Sequence, residues 1–309
     1  MFFLLVIGNI HPITSYADPP AQIEGEWIQS SNGRWWYRHT DGSYTSDGWE
    51  YINGYWYHFD SDGWMQTGWL QVNSTWYYLS SSGAMVTGWE YINSNWYYFS
   101  SSGAMCTGWR YINGSWYYFN DSGAMRTDPL YSSSRYYTFF SSGQLKLTRI
   151  MITRQEQQES EWCWAACLAM VGPYNTNYTT TQWDVVVSVL GYPLNLPVHV
   201  DVTAGALSIA SNGTKWGSVV GINDFSYSDA VVETDSNRLI IIRMGWNSGG
   251  GHFVVGAGYD KEGNKIYIID PADGCINDYF NYYQLITGRK IHSGTGSWTH
   301  TVTYEVLQD

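Results

Sequence analysis

Charge is scarce in this chain: only 14% of its 309 residues are charged, against roughly 25% in ordinary globular proteins. The 27 acidic and 15 basic residues leave a net charge of −12, which excludes the basic face that nucleic-acid binding requires. Cysteine is also sparse. Cys106, Cys163, Cys167 and Cys275 are too few and too unevenly placed for a disulfide framework. No stretch approaches eighteen uninterrupted apolar residues, so no spanning helix is expected. Lys and Arg are missing altogether before Arg34. The short apolar run Phe2–Gly8 and the small-x-small pattern Ser15-Tyr16-Ala17 read as a secretory signal over residues 1–17, but one without its positive n-region. A misplaced start, a truncation or a buried N-terminal strand are the other readings of that segment. The mature protein is expected to be exported and soluble.

What the chain has in excess is aromatic residues, at 18%. They are periodic. Trp49, Trp69, Trp89 and Trp109 each follow a Gly, at a spacing of twenty; Trp36, Trp56, Trp76, Trp96 and Trp116 form a second ladder, and Met65, Met85, Met105 and Met125 a third. Packing alone rarely demands Trp in every copy, since any large apolar side chain fills a core position. Repeated Trp, Tyr and Met point instead to a binding surface in which weak sites add up. Within a copy, Asn-Gly at 113–114, and likewise at 32–33 and 53–54, signals a two-residue hairpin turn, because both positions tolerate φ > 0. Aromatic and β-branched residues flank the turn, as strands prefer. Each unit is therefore a short hairpin that cannot bury its own apolar face, and stacking into a β-solenoid supplies the burial. Cys106 holds a variable position, where Val86 and Arg126 stand in neighbouring copies.

The pattern Gly-Trp…Trp-Tyr-Tyr…Gly-x-Met-x-Thr-Gly-Trp resembles the choline-binding repeats of Gram-positive surface proteins. The resemblance covers roughly residues 24–147 and is best from Trp49 to Thr127. In the last copy Asp128-Pro129 replaces Gly-Trp and Tyr136 replaces the second-ladder Trp, as a cap would. The resemblance implies that choline residues of wall teichoic acids are the partner. A quaternary ammonium donates no hydrogen bonds and is best held by aromatic faces, at about 0.5–2 kcal/mol per contact. The implied cages use Trp49, Trp56, Trp69, Trp76, Trp89, Trp96, Trp109 and Trp116 with Met65, Met85, Met105 and Met125; which Tyr completes each is left open. A ligand-free aromatic stalk and the related glycan-binding repeats are the alternatives.

The repeat rhythm fails after Gly143-Gln144-Leu145, and residues 147–160 become charged and Gln-rich. The expected division is a signal over 1–17, repeats over 18–147, and a second domain over 148–309, long enough to bury its own core. There, Glu161–Val171 is apolar on nearly every face and stops at Gly172-Pro173, as a buried helix does. Cys163 falls in its first turn, where the dipole and free N–H groups favour a thiolate. Arg238–Met244 reads as a buried strand. His252 opens a second strand, and Asp270 closes a third after the turn 260–264. An antiparallel pair brings such ends together, so an orienting carboxylate is expected beside the imidazole.

Three stretches, Gln ahead of Cys-Trp-Ala-Ala, Gly-His-Phe-Val-Val with Gly-Tyr-Asp, and Asp-Pro-Ala-x-Gly, resemble the papain-like cysteine peptidases, in particular the compact C39-like and bacterial effector branch, over roughly 150–285. The resemblance implies an α+β papain-like fold in which Cys163 is nucleophile, His252 base and Asp270 orienting acid. Gln157 is the implied oxyanion donor, with Gln158 and Gln155 as alternatives. No cofactor and no metal are implied; a Cys₃His zinc site from Cys163, Cys167, Cys275 and His252 is a rival reading, weakened by the missing Cys-x-x-Cys knuckle. Trp162 and Trp164 are pocket wall or core, and Trp246 and Asn247 lie near the expected cleft mouth. Together these readings describe a two-domain protein: an N-terminal β-hairpin solenoid of ~20-residue repeats and a C-terminal papain-like thiol hydrolase acting on a peptide or protein substrate. A peptidoglycan amidase or endopeptidase, and a non-catalytic adhesin, are the alternative functions.

Overall fold

The computed structural model describes residues 22–307; the expected signal segment, 1–17, lies outside them. The described chain divides into two compact units, one comprising 22–110 with 118–125 and the other 111–117 with 126–307.

Hairpins make up the first unit and run into the second. The strands are β1 (Gly25–Gln29) and β2 (Trp35–His39), β3 (Gly48–Ile52) and β4 (Tyr55–Phe59), β5 (Gly68–Val72) and β6 (Thr75–Leu79), β7 (Gly88–Ile92) and β8 (Asn95–Phe99), β9 (Gly108–Ile112) and β10 (Ser115–Phe119). Each pair is its own two-stranded sheet, so the hairpins are not joined into one continuous sheet. Asn53-Gly54 and Asn113-Gly114 form the expected turns with φ > 0 at both residues. Asn73-Ser74 and Asn93-Ser94 adopt the same conformation; Asn tolerates it, and the close Val72↔Thr75 pairing holds Ser74 there. At Asn32-Gly33 the expected two-residue turn is replaced. The pairing ends at Gln29↔Trp35, only Gly33 has positive φ, and Ser30 closes a five-residue loop through its N–H to the Arg34 carbonyl at 2.9 Å.

Successive hairpins are linked by one recurring backbone bond. The N–H of Met65, Met85, Met105 and Met125 donates to the carbonyl of Trp35, Trp56, Trp76 and Trp96, each at 2.8 Å. The Met side chains lie on glycines of the following copy: a Cβ at Gly83, Gly103 or Gly123 would come within 2.2–2.3 Å of the sulfur of Met65, Met85 or Met105. These glycines, all at positive φ, leave the room in which one repeat packs on the next. Ile52, Phe59, Leu79, Phe99 and Phe119 are fully buried side chains of this packing.

The second unit is an α+β arrangement about a large antiparallel sheet. Its elements are β11 (Leu130–Ser132), β12 (Arg135–Phe139), β13 (Leu145–Ile150), α1 (Cys163–Val171), α2 (Gln182–Leu190), α3 (Val200–Ala210), β14 (Lys215–Gly221), α4 (Tyr227–Asp235), β15 (Ile240–Trp246), β16 (Gly251–Asp260), β17 (Lys265–Ile269), β18 (Asp278–Asn281), α5 (Tyr282–Thr287), β19 (Arg289–Ile291) and β20 (Gly294–Val306). Strand order is β11-β12-β13-β16-β15-β20-β14, with β17 and β18 paired on from β16 and β19 on β20. Residue 147 lies inside β13, which pairs with β16 from Leu147↔Asp260 to Arg149↔Gly258. The degraded last copy, β11–β12, thus continues through β13 into this sheet.

Alternation along the central strands explains the two cores. Ile241, Phe253, Val255 and Ala257 join α1, α2 and α3 residues in one cluster, whereas Ile240, Ile242, Met244 and Val254 join Ala230, Tyr282 and Leu285 in another. Helices on both faces make the uninterrupted Ile run of β15 a strand buried on two sides. Helix α1 is buried at all nine positions. Its C-terminal end is held by the buried ammonium of Lys215, which donates to the carbonyls of Val171, Gly172 and Tyr174. Burial pulls the lysine down to about 8, while three acceptors and the helix C-terminus favour its proton.

Candidate functional site

The N-terminus of α1 is where the second unit gathers its reactive groups. Cys163 is the first helical residue, and the N-cap Trp162 supplies no side-chain cap, so the helix's first N–H groups face the site with the positive end of the dipole. Trp162 and Trp164 are core rather than pocket lining alone: they are 2% and 0% exposed, and their indole N–H groups donate to the carbonyls of Leu194 and Leu196. Asn195 accepts from the Glu161 N–H and donates to the Ser160 hydroxyl. The loop around 194–197 therefore fixes the helix start, and with it the thiol.

His252 and Asp270 are buried beside it, at 7% and 1% exposure. His252 Nε2 donates to Asp270 Oδ1 at 2.8 Å, the pairing expected of the joined strand ends. With Nε2 committed to the carboxylate, Nδ1 is the ring nitrogen left to face Cys163, whose side chain adds to the rise of the imidazole. Burial pushes His252 down, but the bonds from Asp270 and Cys163 and their charges outweigh it, lifting the imidazole from 6.5 to about 9. Burial likewise pushes Asp270 up, and the His252 bond and charge reverse this to hold the carboxyl below its usual range. The two shifts agree on one charge arrangement, imidazolium beside carboxylate. Trp246 stacks on the imidazole, with ring centroids 5.7 Å apart and planes 16° from parallel.

Burial acts on two of the other cysteines. Cys167 is fully enclosed in the core, and burial drives its thiol far up; Cys275 is raised by burial and by Asp270. Among the described residues no three His, Cys, Asp or Glu side chains converge as metal ligands, and the rival Cys₃His grouping is not formed.

Gln157 reaches the site through its backbone, whose N–H donates to the Pro271 carbonyl at 2.8 Å, one residue from Asp270. Its side-chain amide donates to the carbonyls of Glu159 and Ser160, at 3.1 and 2.8 Å, in the loop leading to Cys163. Its Oε1 is buried without a partner. Gln155 turns away, donating to Ala169, and Gln158 uses its backbone N–H on Gln182. Two residues that sequence reasoning passed over hold this segment. Gln182, 2% exposed, donates to the Glu156 carbonyl, and Arg154 donates to the carbonyls of Asp270 and Ala272. Arg154 carried one signal, a cation in a chain with few of them.

The hairpins present aromatic corners. Trp69 and Trp76 meet at 88° with centroids 6.1 Å apart, and Trp89 and Trp96 at 86° and 6.2 Å. Trp76 and Trp96 are 41% and 45% exposed. The Tyr of the next hairpin lies against the first-ladder ring, Tyr77 on Trp49 at 5.0 Å and Tyr97 on Trp69 at 4.9 Å. Trp49, Trp56, Trp109 and Trp116 are half-buried in the corresponding positions.

Comparison with known proteins bears on both sites. Residues 46–87, 86–128 and 106–149 match the family model for the choline-binding repeat, and residues 146–284 match that for the papain-like cysteine protease AvrRpt2. No curated protein matches the chain. Among solved structures, choline binding protein F from Streptococcus pneumoniae is 42% identical over 40% of this chain and 42% of its own, with a TM-score of 0.37. The pneumococcal cell wall endolysin from phage Cp-1 complexed with choline is 42% identical over 42% and 39%, TM-score 0.32. The autolysin LytC from Streptococcus pneumoniae is 31% identical over 44% and 36%, TM-score 0.29. The chain thus spans about two fifths of the length of the structures it matches. It carries choline-binding repeats over 46–149 and an AvrRpt2-like papain-like cysteine protease domain over 146–284.

Proposed function

We propose that this chain is a secreted cysteine peptidase held to choline-decorated cell wall by its repeats, with Cys163, His252 and Asp270 as the catalytic triad. The observation that carries the catalytic half is the 2.8 Å His252–Asp270 bond on one ring nitrogen, with Cys163 at the uncapped start of the helix α1 and acting on the same imidazole. Asp270 sets the imidazole so that Nδ1 faces the thiol, and a thiolate–imidazolium pair results. The Cys163 sulfur attacks the scissile carbonyl carbon, and the new oxyanion accepts from the Cys163 backbone N–H. Gln157 joins it as second donor on releasing one of its loop carbonyls. His252 then gives its proton to the leaving amine as the C–N bond breaks. It next takes a proton from water, whose oxygen attacks the thioester, releasing the acid and the Cys163 thiolate. No cofactor is required at any step.

The anchoring half rests on the perpendicular Trp pairs. A trimethylammonium group fits the corner of Trp69 and Trp76, with Tyr97 packed on Trp69, and the corner of Trp89 and Trp96 repeats it one hairpin on. Met65, Met85, Met105 and Met125 set the repeat spacing and flank these corners. Each site is weak and the set is strong through effective concentration.

Two measurements test the pair of claims. The full chain should be retained on an amine resin and released by free choline but not by glucans; release by glucans alone would overturn the anchor. Peptide and wall-fragment libraries should be cleaved by the wild type and left intact by Cys163→Ala. Residual cleavage by Cys163→Ala would remove Cys163 from the mechanism, and cleavage of wall cross-links alone would favour the peptidoglycan hydrolase reading over a general peptidase.

A further inference from the structure

The cleft at Cys163 contains a guanidinium that the triad does not use. It is a cavity of about 120 Å³ lined by Cys163, Trp164, Pro197, Val198, Phe253 and Gly251, with Arg243 and Glu161 its charged members. Arg243 and Phe253 are paired residues of β15 and β16, and Phe253 lies in the core cluster that includes Cys163. Arg243 is held in place. One terminal nitrogen donates to Thr299 Oγ1 at 3.0 Å and the other to the Gly250 carbonyl at 3.3 Å, while Thr299 Oγ1 donates back to the Arg243 carbonyl at 3.1 Å.

The paired glycines of the same two strands, Gly245↔Gly251, make room for it. A Cβ on Gly251 would meet the Met244 carbonyl oxygen at 2.6 Å, and then one terminal nitrogen of Arg243 at 3.1 Å and its Cζ at 3.2 Å. One on Gly245 would meet Thr299 Cγ2 at 2.9 Å and the other terminal nitrogen at 3.4 Å. Two of the five N–H donors of an arginine are accounted for in this way. Among the described residues Arg243 forms no ion pair, unlike Arg34, Arg38, Arg126, Arg154 and Arg238. Glu161 is exposed to solvent at the rim, where its charge is screened. An anchored, half-buried cation with free donors beside the nucleophile is a fixed anion receptor.

We propose that Arg243 forms a carboxylate subsite beside the Cys163 nucleophile, so that the preferred substrate carries an acidic group next to the scissile bond. This specificity rests on the peptidase assignment of Cys163. The shared chemistry is a carboxylate, supplied by an Asp or Glu side chain or by a free chain terminus.

The test compares alkylation of Cys163 in the full chain by iodoacetate, which carries a carboxylate, and iodoacetamide, which does not. The readout is the ratio of the two rates in wild type, Arg243→Gln and Arg243→Lys. The His252 imidazolium favours iodoacetate in all three, so only the change between variants counts. The ratio should fall roughly tenfold in Arg243→Gln, as expected of a partly screened charge pair, and recover largely in Arg243→Lys. An unchanged ratio in a wild type that alkylates rapidly with both reagents would overturn the subsite and leave the peptidase assignment standing. Slow reaction with both reagents in the wild type would overturn both. Peptide pairs differing as Glu against Gln, or as terminal acid against amide, then identify the source. A preference that disappears in Arg243→Gln supports the subsite, and the absence of either preference contradicts it.

Discussion

Replacing Asp270 by Asn removes one charge and almost no volume, and its effect can be worked out from the site. His252 rises from 6.5 to about 9 in the folded protein, which at about 1.36 kcal/mol per unit is about 3 kcal/mol in favour of the imidazolium. Burial opposes that rise, so the bonds and charges of Asp270 and Cys163 together contribute more than the net. In Asp270→Asn the amide oxygen could still accept the His252 and Ala272 N–H bonds that one carboxylate oxygen accepts in the wild type, but without the negative charge. The imidazole should then titrate at least one unit lower, and a fall of about 1.5 units would cut its protonated share at pH 8 from about nine-tenths to about one quarter. Ring resonances of isotopically labelled His252, followed by NMR across pH, read this directly. The basic limb of kcat/KM, which reports loss of the imidazolium, should move with it.

Stability carries the same signature with a definite sign. A group whose pKa is raised on folding contributes stabilisation that is complete below about 6.5 and is lost as pH climbs through about 9. Wild type should therefore lose up to about 3 kcal/mol from this source over that window, and Asp270→Asn should lose much less. A His252 midpoint still near 9 in Asp270→Asn would refute the argument, because the imidazolium would then owe nothing to the carboxylate.

Two further outcomes follow from other parts of the molecule. Trp76→Ala removes an exposed wall of one aromatic corner; it should weaken choline binding at that corner by about 2- to 30-fold, equivalent to 0.5–2 kcal/mol. Calorimetry on the purified chain checks this, with thermal stability nearly unchanged. Lys215→Met deprives three buried carbonyls of their donor and should cost about 3 kcal/mol or more at roughly 1–3 kcal/mol for each unsatisfied group. Urea denaturation reads that loss, and a change below about 1 kcal/mol would mean that water replaces the ammonium.

The sequence made the periodic features easiest to read. A twenty-residue spacing of Gly-Trp, Trp and Met fixes hairpins because each copy repeats the same turn and the same packing glycine. Even there, Asn73-Ser74 and Asn93-Ser94 turn as the Asn-Gly pairs do, and Asn32-Gly33 does not, since closure of the loop by Ser30 is a local backbone choice invisible in the dipeptide. His252 and Asp270 were legible as neighbours because they sit at the joined ends of adjacent strands. What escaped was everything carried by long-range contact. Gln182 and Arg154 act through backbone carbonyls more than twenty residues away in the chain, and the stacking of Trp246 on His252 depends on how the loop between two strands folds back. The engagement of Gln157 with Glu159 and Ser160 is likewise a property of the folded loop. The Arg243 cradle is written in two glycines that are opposite one another only once β15 and β16 pair.

The central claim is that Cys163 is a nucleophile activated by His252. Alkylation by iodoacetamide at neutral pH, mapped by mass spectrometry on wild type and His252→Ala, tests it most directly. Rapid modification at Cys163, slow modification at Cys167 and Cys275, and loss of the Cys163 rate in His252→Ala are the predicted results. Equal, sluggish labelling of the three thiols, indifferent to His252, would contradict the claim.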